Sequence, residues 1–382
     1  MIEHSHAAHP SKLLDPAWIT TLRSEADKAT TTGRLTSRQL QLFYAQGWFK
    51  ALVPKAYGGL QWSLIEVVCF EEAIGWAEGS AGWVFTLCSG AGWFGGYLDP
   101  QLAGRIFKPE NACLAGSGAV GGRGRTNKDG QAVITGEWQY ATGAPHATIF
   151  TANVYLQSQQ NVRAFLFLPE EVIIKKTWNP IGLIASASES FAVTDLTIGS
   201  ERAFDIDPDK PVIRENLYRM PFGPLAEATI AANLSGMTLH FMEEVELLWK
   251  QKKASRPKGA SIPDWTADAW RLLDNYYNRW LEVRERLWSA VKELESFVKK
   301  HMSVERLADN RTYLQKSKAV SVHAQAQAVL CREIVDTLYP YTGLTGASMN
   351  SAIGKVWRDF QTGSQHALFV PRPKSHTKKK SV

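Results

Sequence analysis

Gly136-Glu137-Trp138-Gln139-Tyr140-Ala141-Thr142-Gly143 lies at the centre of a β-rich part of the chain. It follows a turn signal at Asp129-Gly130 and places a hydroxyl beside a glycine at the end of a predicted strand. Short β-forming runs continue on both sides of it, over residues 113–204. In residues 150–156 apolar and polar side chains alternate, the period of a strand with one buried face. The segment predicts an antiparallel, barrel-like sheet.

Helical patterns surround this sheet. Before it, apolar residues recur at helical spacing. After the Asp- and Pro-rich connection at 205–211, period 3.6 returns and predicts four long amphipathic helices, which form a bundle. The fourth of these is predicted over about residues 351–368, so that His366 lies within a helix. The predicted fold class is therefore α+β, mostly α. Its parts are an N-terminal helical domain (11–110), a central β-domain (111–212), a C-terminal four-helix bundle (213–370) and a basic disordered tail (371–382).

Composition limits the possible partners. The net charge is +6, but five positive charges lie within the last eleven residues, so the body of the chain is nearly neutral and no nucleic-acid partner is expected. No run reaches the roughly 18 apolar residues of a membrane helix, and no secretion signal begins the chain. We expect a cytoplasmic protein without a membrane partner.

Cysteine and histidine usage gives no metal prediction. The four cysteines show no CxxC spacing and fall in apolar stretches, which indicates buried, reduced thiols. His4, His6 and His9 lie within the first ten residues, an end that is expected to fray and so to hold no functional metal. The sequence also lacks a P-loop, an HExxH motif and a GxSxG motif with partners.

The glycine-rich run at residues 116–125 superficially matches a dinucleotide fingerprint, but no βαβ alternation surrounds it. Its glycines would let backbone N–H groups approach a ligand closely. Arg123 and Arg125 fit either a phosphate contact or an exposed turn equally well.

Taken in order, the motifs resemble those of the acyl-CoA dehydrogenase superfamily. They are Ala56-Tyr57-Gly58-Gly59, Glu71-Glu72-Ala73-Ile74, Gly79-Ser80-Ala81-Gly82-Trp83-Val84, the glycine-rich run that begins at Gly116-Ser117, Gly136 to Gly143, Gly182 to Ser188, and Trp357-Arg358-Asp359 with His366. The Trp-x-Tyr-Ala-Thr-Gly form and the closing Trp-Arg-Asp with a later His are similar to the branch of two-component flavin monooxygenases. The resemblance implies FAD or FMN supplied reduced by a separate flavin reductase, O2 as oxidant, and a small-molecule substrate.

The resemblance also implies the site residues. It assigns a catalytic role to His366; cofactor contacts to Trp138, Thr142, Gly143, Ser117 and Arg358; and substrate contacts to Ser186, Ser188 and Ala91. From the residues alone, Trp138 is also compatible with a position in the hydrophobic core, and His366 with a purely structural hydrogen bond.

Several departures keep the function open. Ala367 stands where many acyl-CoA dehydrogenases have their catalytic glutamate, and Ala91 and Ile184 replace a histidine and an arginine of the monooxygenases. The leading hypothesis is oxygenation of a small apolar or aromatic compound. The alternatives are FAD-dependent acyl-CoA dehydrogenation and a non-catalytic flavin-binding or scaffold protein.

The C-terminal helices are rich in large aromatic residues, namely Trp270, Tyr277, Trp280 and Trp288. They supply more apolar surface than one bundle core should need, which predicts a homotetramer, or at least a dimer, assembled through these helices.

Overall fold

A computed structural model of the chain describes residues 9–255 and 265–370. It contains an N-terminal helical part, a central sheet and C-terminal helices, so the predicted fold class is confirmed. The N-terminal helices are α1 (Pro16–Ser24), α2 (Ala26–Thr32), α3 (Ser37–Ala45), α4 (Leu64–Ala77), α5 (Gly79–Gly92) and α6 (Pro100–Phe107). Their starts carry the expected caps: a capping box joins Ser63 to Glu66 on α4, and Asp99 caps α6 ahead of Pro100.

The sheet has seven strands in the order β5-β6-β2-β1-β3-β4-β7. They are β1 (Leu114–Thr126), β2 (Ala132–Ala141), β3 (Ile149–Leu156), β4 (Asn161–Phe167), β5 (Ile173–Lys175), β6 (Glu189–Ile198) and β7 (Ala203–Phe204). All neighbours are antiparallel except β1 and β3, which are parallel, so the antiparallel prediction was wrong for this pair. The reason is the connection at 142–148. Because β2 is antiparallel to β1, it ends near the start of β1. The connection then crosses to the opposite edge of β1, and β3 begins at the same end as β1 and runs parallel to it.

Three long helices, α7 (Phe222–Ala254), α8 (Trp265–Lys300) and α9 (Arg311–Leu338), dominate the C-terminal part. The short α10 (Leu344–Ala347) and α11 (Ala352–Gly363) follow. The fourth long helix, predicted over 351–368, is therefore much shorter than expected. Gly363 packs against Trp83, where a Cβ would lie 3.1 Å from the indole, and the carbonyl of Ser364 accepts a hydrogen bond from Arg332, so the helix ends there.

Helix α4 joins the N-terminal part to the C-terminal helices. Thirteen of its fourteen residues are buried, which explains why it is apolar on every side. It packs along α7 so closely that a Cβ on Gly236 would lie 2.0 Å from the carbonyl oxygen of Glu72. One core spans both helical parts, and a second, smaller core lies within the sheet.

The domain limits at 110/111 and 212/213 fall in the connections between α6 and β1 and between β7 and α7, and they stay predictions. The predicted tail at 371–382, with His4 and His6, lies outside the described residues. All four cysteines are buried and outside disulfides. Among the described helices, none combines the length and the apolar character needed to cross a bilayer.

Two of the four aromatic residues invoked for subunit contact have a different role. Trp280 and Trp288 are buried in the chain's own core, where Trp280 donates a 2.9 Å hydrogen bond to Ser235 and the guanidinium of Arg284 lies 3.7 Å from the Trp288 ring centre. The argument from these two residues was therefore wrong, because helical periodicity does not distinguish a core face from a subunit interface.

Candidate functional site

A cavity of about 160 Å³ lies where α5, the starts of β1 and β3, and the beginning of α7 meet. Three of the predicted site residues line it: Ala91, Ser117 and Thr142. Most of the remaining lining is apolar, with Leu87 and Phe94 from the N-terminal part and Phe222, Leu225 and Ile230 from the C-terminal part. The structure thus brings predicted cofactor and substrate residues together at one seam between the sheet and the helices.

Helix α5 supplies one wall. Its first turn is fixed by Glu78, whose carboxylate accepts a 2.7 Å hydrogen bond from the backbone amide of Ala81. Leu87, Gly90 and Ala91 follow at helical spacing and face the cavity. A Cβ on Gly90 would meet no atom within 4 Å, so the wall has free space in front of it.

A bulge in β1 supplies the opposite rim. The ladder between β1 and β3 shifts between Ser117 and Val120, so two residues of β1 leave the regular pairing. Asn153 on β3 donates a 2.9 Å hydrogen bond to the carbonyl of Gly118 and holds the bulged segment. Bulges often re-aim side chains at functional sites, and this one places Ser117 at the cavity.

Three buried hydroxyls form a chain behind the cavity. The Thr142 and Ser188 hydroxyl oxygens are 2.8 Å apart, and those of Ser188 and Ser186 are 2.9 Å apart. The amide of Gly143 donates a 2.9 Å hydrogen bond to the carbonyl of Ser186. Ser186 and Ser188, predicted to contact substrate, therefore support Thr142 and are absent from the lining of this cavity.

Backbone strain concentrates beside these hydroxyls. Three of the six described non-glycine residues with positive φ lie next to them: Tyr140 (64°), Leu183 (52°) and Ala187 (45°). Such conformations cost free energy and persist where surrounding contacts impose them, commonly at ligand sites. The 182–188 loop is the segment under constraint.

Asp359 fixes that loop to α11. The amide of Leu183 donates a 2.6 Å hydrogen bond to Asp359, and the ammonium of Lys355 lies 2.7 Å from Asp359 and 2.6 Å from Glu78. Burial alone would lower the pKa of Lys355, but these two carboxylates outweigh it and raise that pKa. Sequence reasoning missed Asp359, Lys355 and Glu78 as positioning residues, although Asp359 stood inside the quoted Trp-Arg-Asp motif.

Arg358, predicted to bind cofactor, lies elsewhere. It lines a second cavity of about 680 Å³ between α2, the start of α5 and α11, and its guanidinium donates a 2.9 Å hydrogen bond to the carbonyl of Met349. The structure does not bring Arg358 together with Thr142 in one cavity. Its backbone instead packs against Gly182, where a Cβ would lie 2.1 Å from the Arg358 carbonyl.

Trp138 fills the core of the sheet. Its side chain is 1% exposed, stacks on Phe191 with ring centres 5.1 Å apart, and donates a 2.9 Å hydrogen bond to the carbonyl of Asn153. Added Cβ atoms on Gly121 and Gly122 would touch its ring at 2.7 and 2.4 Å. Core filling therefore describes Trp138 in this structure, and it is not among the residues lining either cavity described above.

His366 lies beyond α11, outside any α-helix. Its Nδ1 accepts a 3.3 Å hydrogen bond from the amide of Leu368, and its ring meets Trp83 edge-on at 6.0 Å. Trp83 precedes Leu87 and Ala91 on the same face of α5, so His366 stands at the far end of the face that lines the cavity. Burial lowers the pKa of His366, which keeps the imidazole neutral near pH 7. The prediction that His366 lies within a helix was wrong.

The cavity residues fit the polar edge of a flat heteroaromatic ring. The lining offers apolar faces, the hydroxyls of Ser117 and Thr142, and the buried hydroxyl of Thr86, which has no hydrogen-bond partner among the described residues. A Cβ on Gly118 would also meet open space. A ligand with polar edge atoms could bond to such an unpartnered buried hydroxyl, and the open space at Gly118 leaves room for it.

Comparisons with known proteins agree with this geometry. Residues 281–371 match the family of acyl-CoA dehydrogenase C-terminal domains. The chain is 24% identical over 352 residues to indole-3-acetate monooxygenase of Pseudomonas putida, covering 86% of this chain and 82% of that protein. It is 22% identical over 369 residues to the oxygenase subunit HsaA of a flavin-dependent monooxygenase from Rhodococcus jostii, covering 93% of each.

The same fold occurs in a solved structure, that of 3-HSA hydroxylase from Rhodococcus sp. RHA1. The TM-score is 0.82 at 19% sequence identity, over 96% of this chain and 94% of that one. The resemblance predicted from the sequence motifs is confirmed, and so is the prediction of a flavin-dependent oxidoreductase.

Proposed function

We propose that this chain is a member of the acyl-CoA dehydrogenase superfamily and the oxygenase component of a two-component flavin-dependent monooxygenase. The observation that carries the proposal is the cavity at the seam, with an apolar lining and the hydroxyls of Ser117 and Thr142 at its rim. A separate flavin reductase supplies the reduced cofactor, as the role of an oxygenase component requires.

When bound, the reduced flavin supplies the electrons that activate O2. Ser117 and Thr142 bind its polar edge, and the Thr142-Ser188-Ser186 chain fixes the direction of the Thr142 hydroxyl. The apolar walls from α5 and α7 exclude water from the reacting atoms. His366, neutral because burial lowers its pKa, carries its hydrogen on Nε2, since Nδ1 accepts the hydrogen bond from Leu368; Nε2 therefore donates a hydrogen bond to a reacting oxygen.

The lining favours oxygenation over dehydrogenation. Removing an α-proton from an acyl thioester needs a carboxylate base close to the substrate, and the residues that line the 160 Å³ cavity include no aspartate or glutamate. Ala367 likewise offers no carboxylate beside His366. The alternative of acyl-CoA dehydrogenation therefore has no base at this cavity.

The substrate class follows from the cavity. With walls formed by Leu87, Phe94, Phe222 and Leu225, the site favours a small aromatic or otherwise apolar compound. Loss of the histidine and arginine at positions 91 and 184 removes polar groups that would bind a charged substituent. Uncharged rings such as indole or a simple phenol are the expected class.

The test supplies FADH2 or FMNH2 anaerobically, then adds 18O2 with indole or phenol and measures product mass. We expect one 18O atom in the product.

A pair of glycine variants tests whether the reaction takes place in this cavity. Gly90→Leu should fill the cavity and abolish product formation. Gly104→Leu, on α6, also has no atom within 4 Å of its Cβ position and should leave product formation unchanged. Oxidation of an acyl-CoA with an artificial electron acceptor, without 18O incorporation, would establish a dehydrogenase instead. Flavin binding without either reaction would establish a non-catalytic protein.

We also propose that the chain assembles into a homotetramer, or at least a dimer, through α9. Leu314, Val322 and Val329 are 53%, 52% and 61% exposed and recur every seven or eight residues, so they form an apolar stripe on one helix face. A second copy of the same helix would cover it. Light scattering of the wild type and of Val322→Lys/Val329→Lys tests this, since the double variant should dissociate; a monomeric wild type would refute it.

A further inference from the structure

Three possible metal ligands meet behind the Thr142-Gly143 turn. The Sγ atoms of Cys88 and Cys113 and a ring nitrogen of His146 all lie within 4.8 Å of one another. They come from three separate elements: α5, the residue before β1, and the 3-10 turn between β2 and β3. We propose that these three residues form a zinc site.

The geometry shows that these atoms converge on one point. Both cysteines are buried, and Nε2 of His146 is buried without a hydrogen-bond partner among the described residues. A Cβ on Gly143 would lie 2.8 Å from Cys88 Sγ and 2.9 Å from His146 Nε2. Gly143, at φ 77°, therefore leaves room for both ligand atoms, and the unpartnered nitrogen points toward the thiols.

Two thiols and an imidazole are a donor set that Zn²⁺ prefers. Zinc bonds of about 2.3 Å to sulfur and about 2.0 Å to nitrogen in a tetrahedral site place the ligand atoms roughly 3.5–3.8 Å apart, so only a small contraction is needed.

A metal here would tie together the elements that carry the cavity residues. Cys88 lies one turn before Ala91 on α5, Cys113 lies four residues before Ser117, and His146 follows Thr142 in the same connection. Cys88 Sγ donates a 3.4 Å hydrogen bond to the carbonyl of Thr142, so the site lies directly beside the turn that carries that residue. The zinc is structural in this arrangement and takes no part in oxygenation.

The test uses full-length protein without an affinity tag, treated with a chelator and then titrated with Zn²⁺ or Co²⁺. We expect one equivalent of zinc per chain by elemental analysis, and an intense near-ultraviolet thiolate-to-cobalt band. Cys113→Ser and His146→Ala should each weaken zinc binding at least tenfold. Cys69→Ser and Cys331→Ser, which alter the other buried thiols, should leave it unchanged, as should His4→Ala/His6→Ala.

The wild type alone can overturn the proposal, whatever the folding of the variants. Folded, reduced protein that binds less than about one tenth of an equivalent of zinc and gives no thiolate-to-cobalt band would refute it. Full zinc binding retained in both Cys113→Ser and His146→Ala would also refute it, as would a Cys88–Cys113 disulfide in protein purified under reducing conditions.

Discussion

The backbone amide of Leu183 donates a 2.6 Å hydrogen bond to the carboxylate of Asp359, 176 residues away. This bond joins the strained 182–188 loop to α11, and Lys355 extends the connection to Glu78 at the start of α5. The loop carries Ser186 and Ser188, which hold Thr142 at the cavity. A residue remote from the cavity thus controls the placement of one that lines it.

Asp359→Ala should weaken reduced-flavin binding at least tenfold, because Leu183 loses its acceptor and the loop can relax. Asp359→Asn keeps an oxygen for the amide and should stay within about threefold of the wild type, although it weakens the contact with Lys355. Fluorescence titration with FMNH2 measures both. Asp336→Asn, at an exposed hydrogen bond to Gln361, is the control. Equal losses in the Ala and Asn variants would show that charge, and not the Leu183 contact, matters.

Thr142 is the predicted cofactor residue that the structure supports most directly. Thr142→Val removes the hydroxyl from the cavity while keeping the side-chain shape, so flavin affinity should fall about fivefold to twentyfold, roughly 1–2 kcal/mol for a lost hydrogen bond. Thr177→Val breaks a similar hydroxyl pair, with Ser190 at 2.7 Å, and Thr177 is not among the cavity residues. It should leave affinity unchanged. Unaltered binding in Thr142→Val would remove Thr142 from the flavin site.

For Trp138 the expected effect is on stability. Trp138→Ala should reduce the free energy of unfolding by roughly 3–5 kcal/mol, the usual cost of emptying a buried aromatic site. Trp138→Phe should lose less than half of that. Urea unfolding followed by circular dichroism measures both, and flavin titration of Trp138→Phe under fully folded conditions separates the roles. A large loss of affinity in that folded variant would restore Trp138 as a cofactor contact.

Much of this fold could be predicted because its signals are local. Period-two runs placed the sheet, period 3.6 placed the helices, and the motif order placed Thr142, Ser117 and Ala91 at one cavity. What could not be predicted depends on distant contacts. The parallel pairing of β1 with β3 is set by how the 142–148 connection passes the start of β1. The burial of Trp138 and the role of Asp359 arise from strands and loops that meet only in the folded chain.

Neighbouring glutamates on α4 give a matched stability test. Both oxygens of Glu71 are buried without a hydrogen-bond partner among the described residues, whereas Glu72 accepts hydrogen bonds from Arg284 at 2.6 Å and Ser235 at 2.7 Å. Glu71→Met should stabilise the protein by about 1–3 kcal/mol, the cost of an unsatisfied buried polar group. Glu72→Met should destabilise it by roughly 3–5 kcal/mol, because the buried guanidinium loses its carboxylate.

The two variants should also differ with pH. Burial raises the pKa of Glu71 well above its ordinary value, so the folded chain keeps that proton after the unfolded chain has released it. Its contribution to stability is therefore greatest at low pH and falls as pH rises above about 4.5. The advantage of Glu71→Met over the wild type should grow between about pH 5 and about pH 8 in urea unfolding. An advantage that shrinks over this range would contradict the assignment of a neutral Glu71.

The last prediction concerns His366, which caps the turn at 367–369 and faces Trp83. Because burial lowers its pKa, the imidazole is neutral near pH 7 and becomes protonated only below its ordinary value of about 6.5. Protonation occurs on Nδ1 and removes the acceptor of the Leu368 amide, so the ring loses its position and the rate of oxygenation falls as pH drops through that lowered pKa. His366→Ala should remove this acidic limb and slow product formation about 10²-fold, the usual scale for one lost hydrogen-bond donor at a reacting oxygen.

His366→Asn separates catalysis from capping. Its side-chain oxygen can accept the hydrogen bond from Leu368, so thermal stability should return toward that of the wild type while the rate stays low. Rapid mixing of enzyme-bound reduced flavin with O2 and substrate measures product formation and peroxide release, and we expect peroxide to rise as product falls. Recovery of the rate in His366→Asn would show that His366 acts only as a cap. A wild-type acidic limb that persists in His366→Ala would assign the titration to another group.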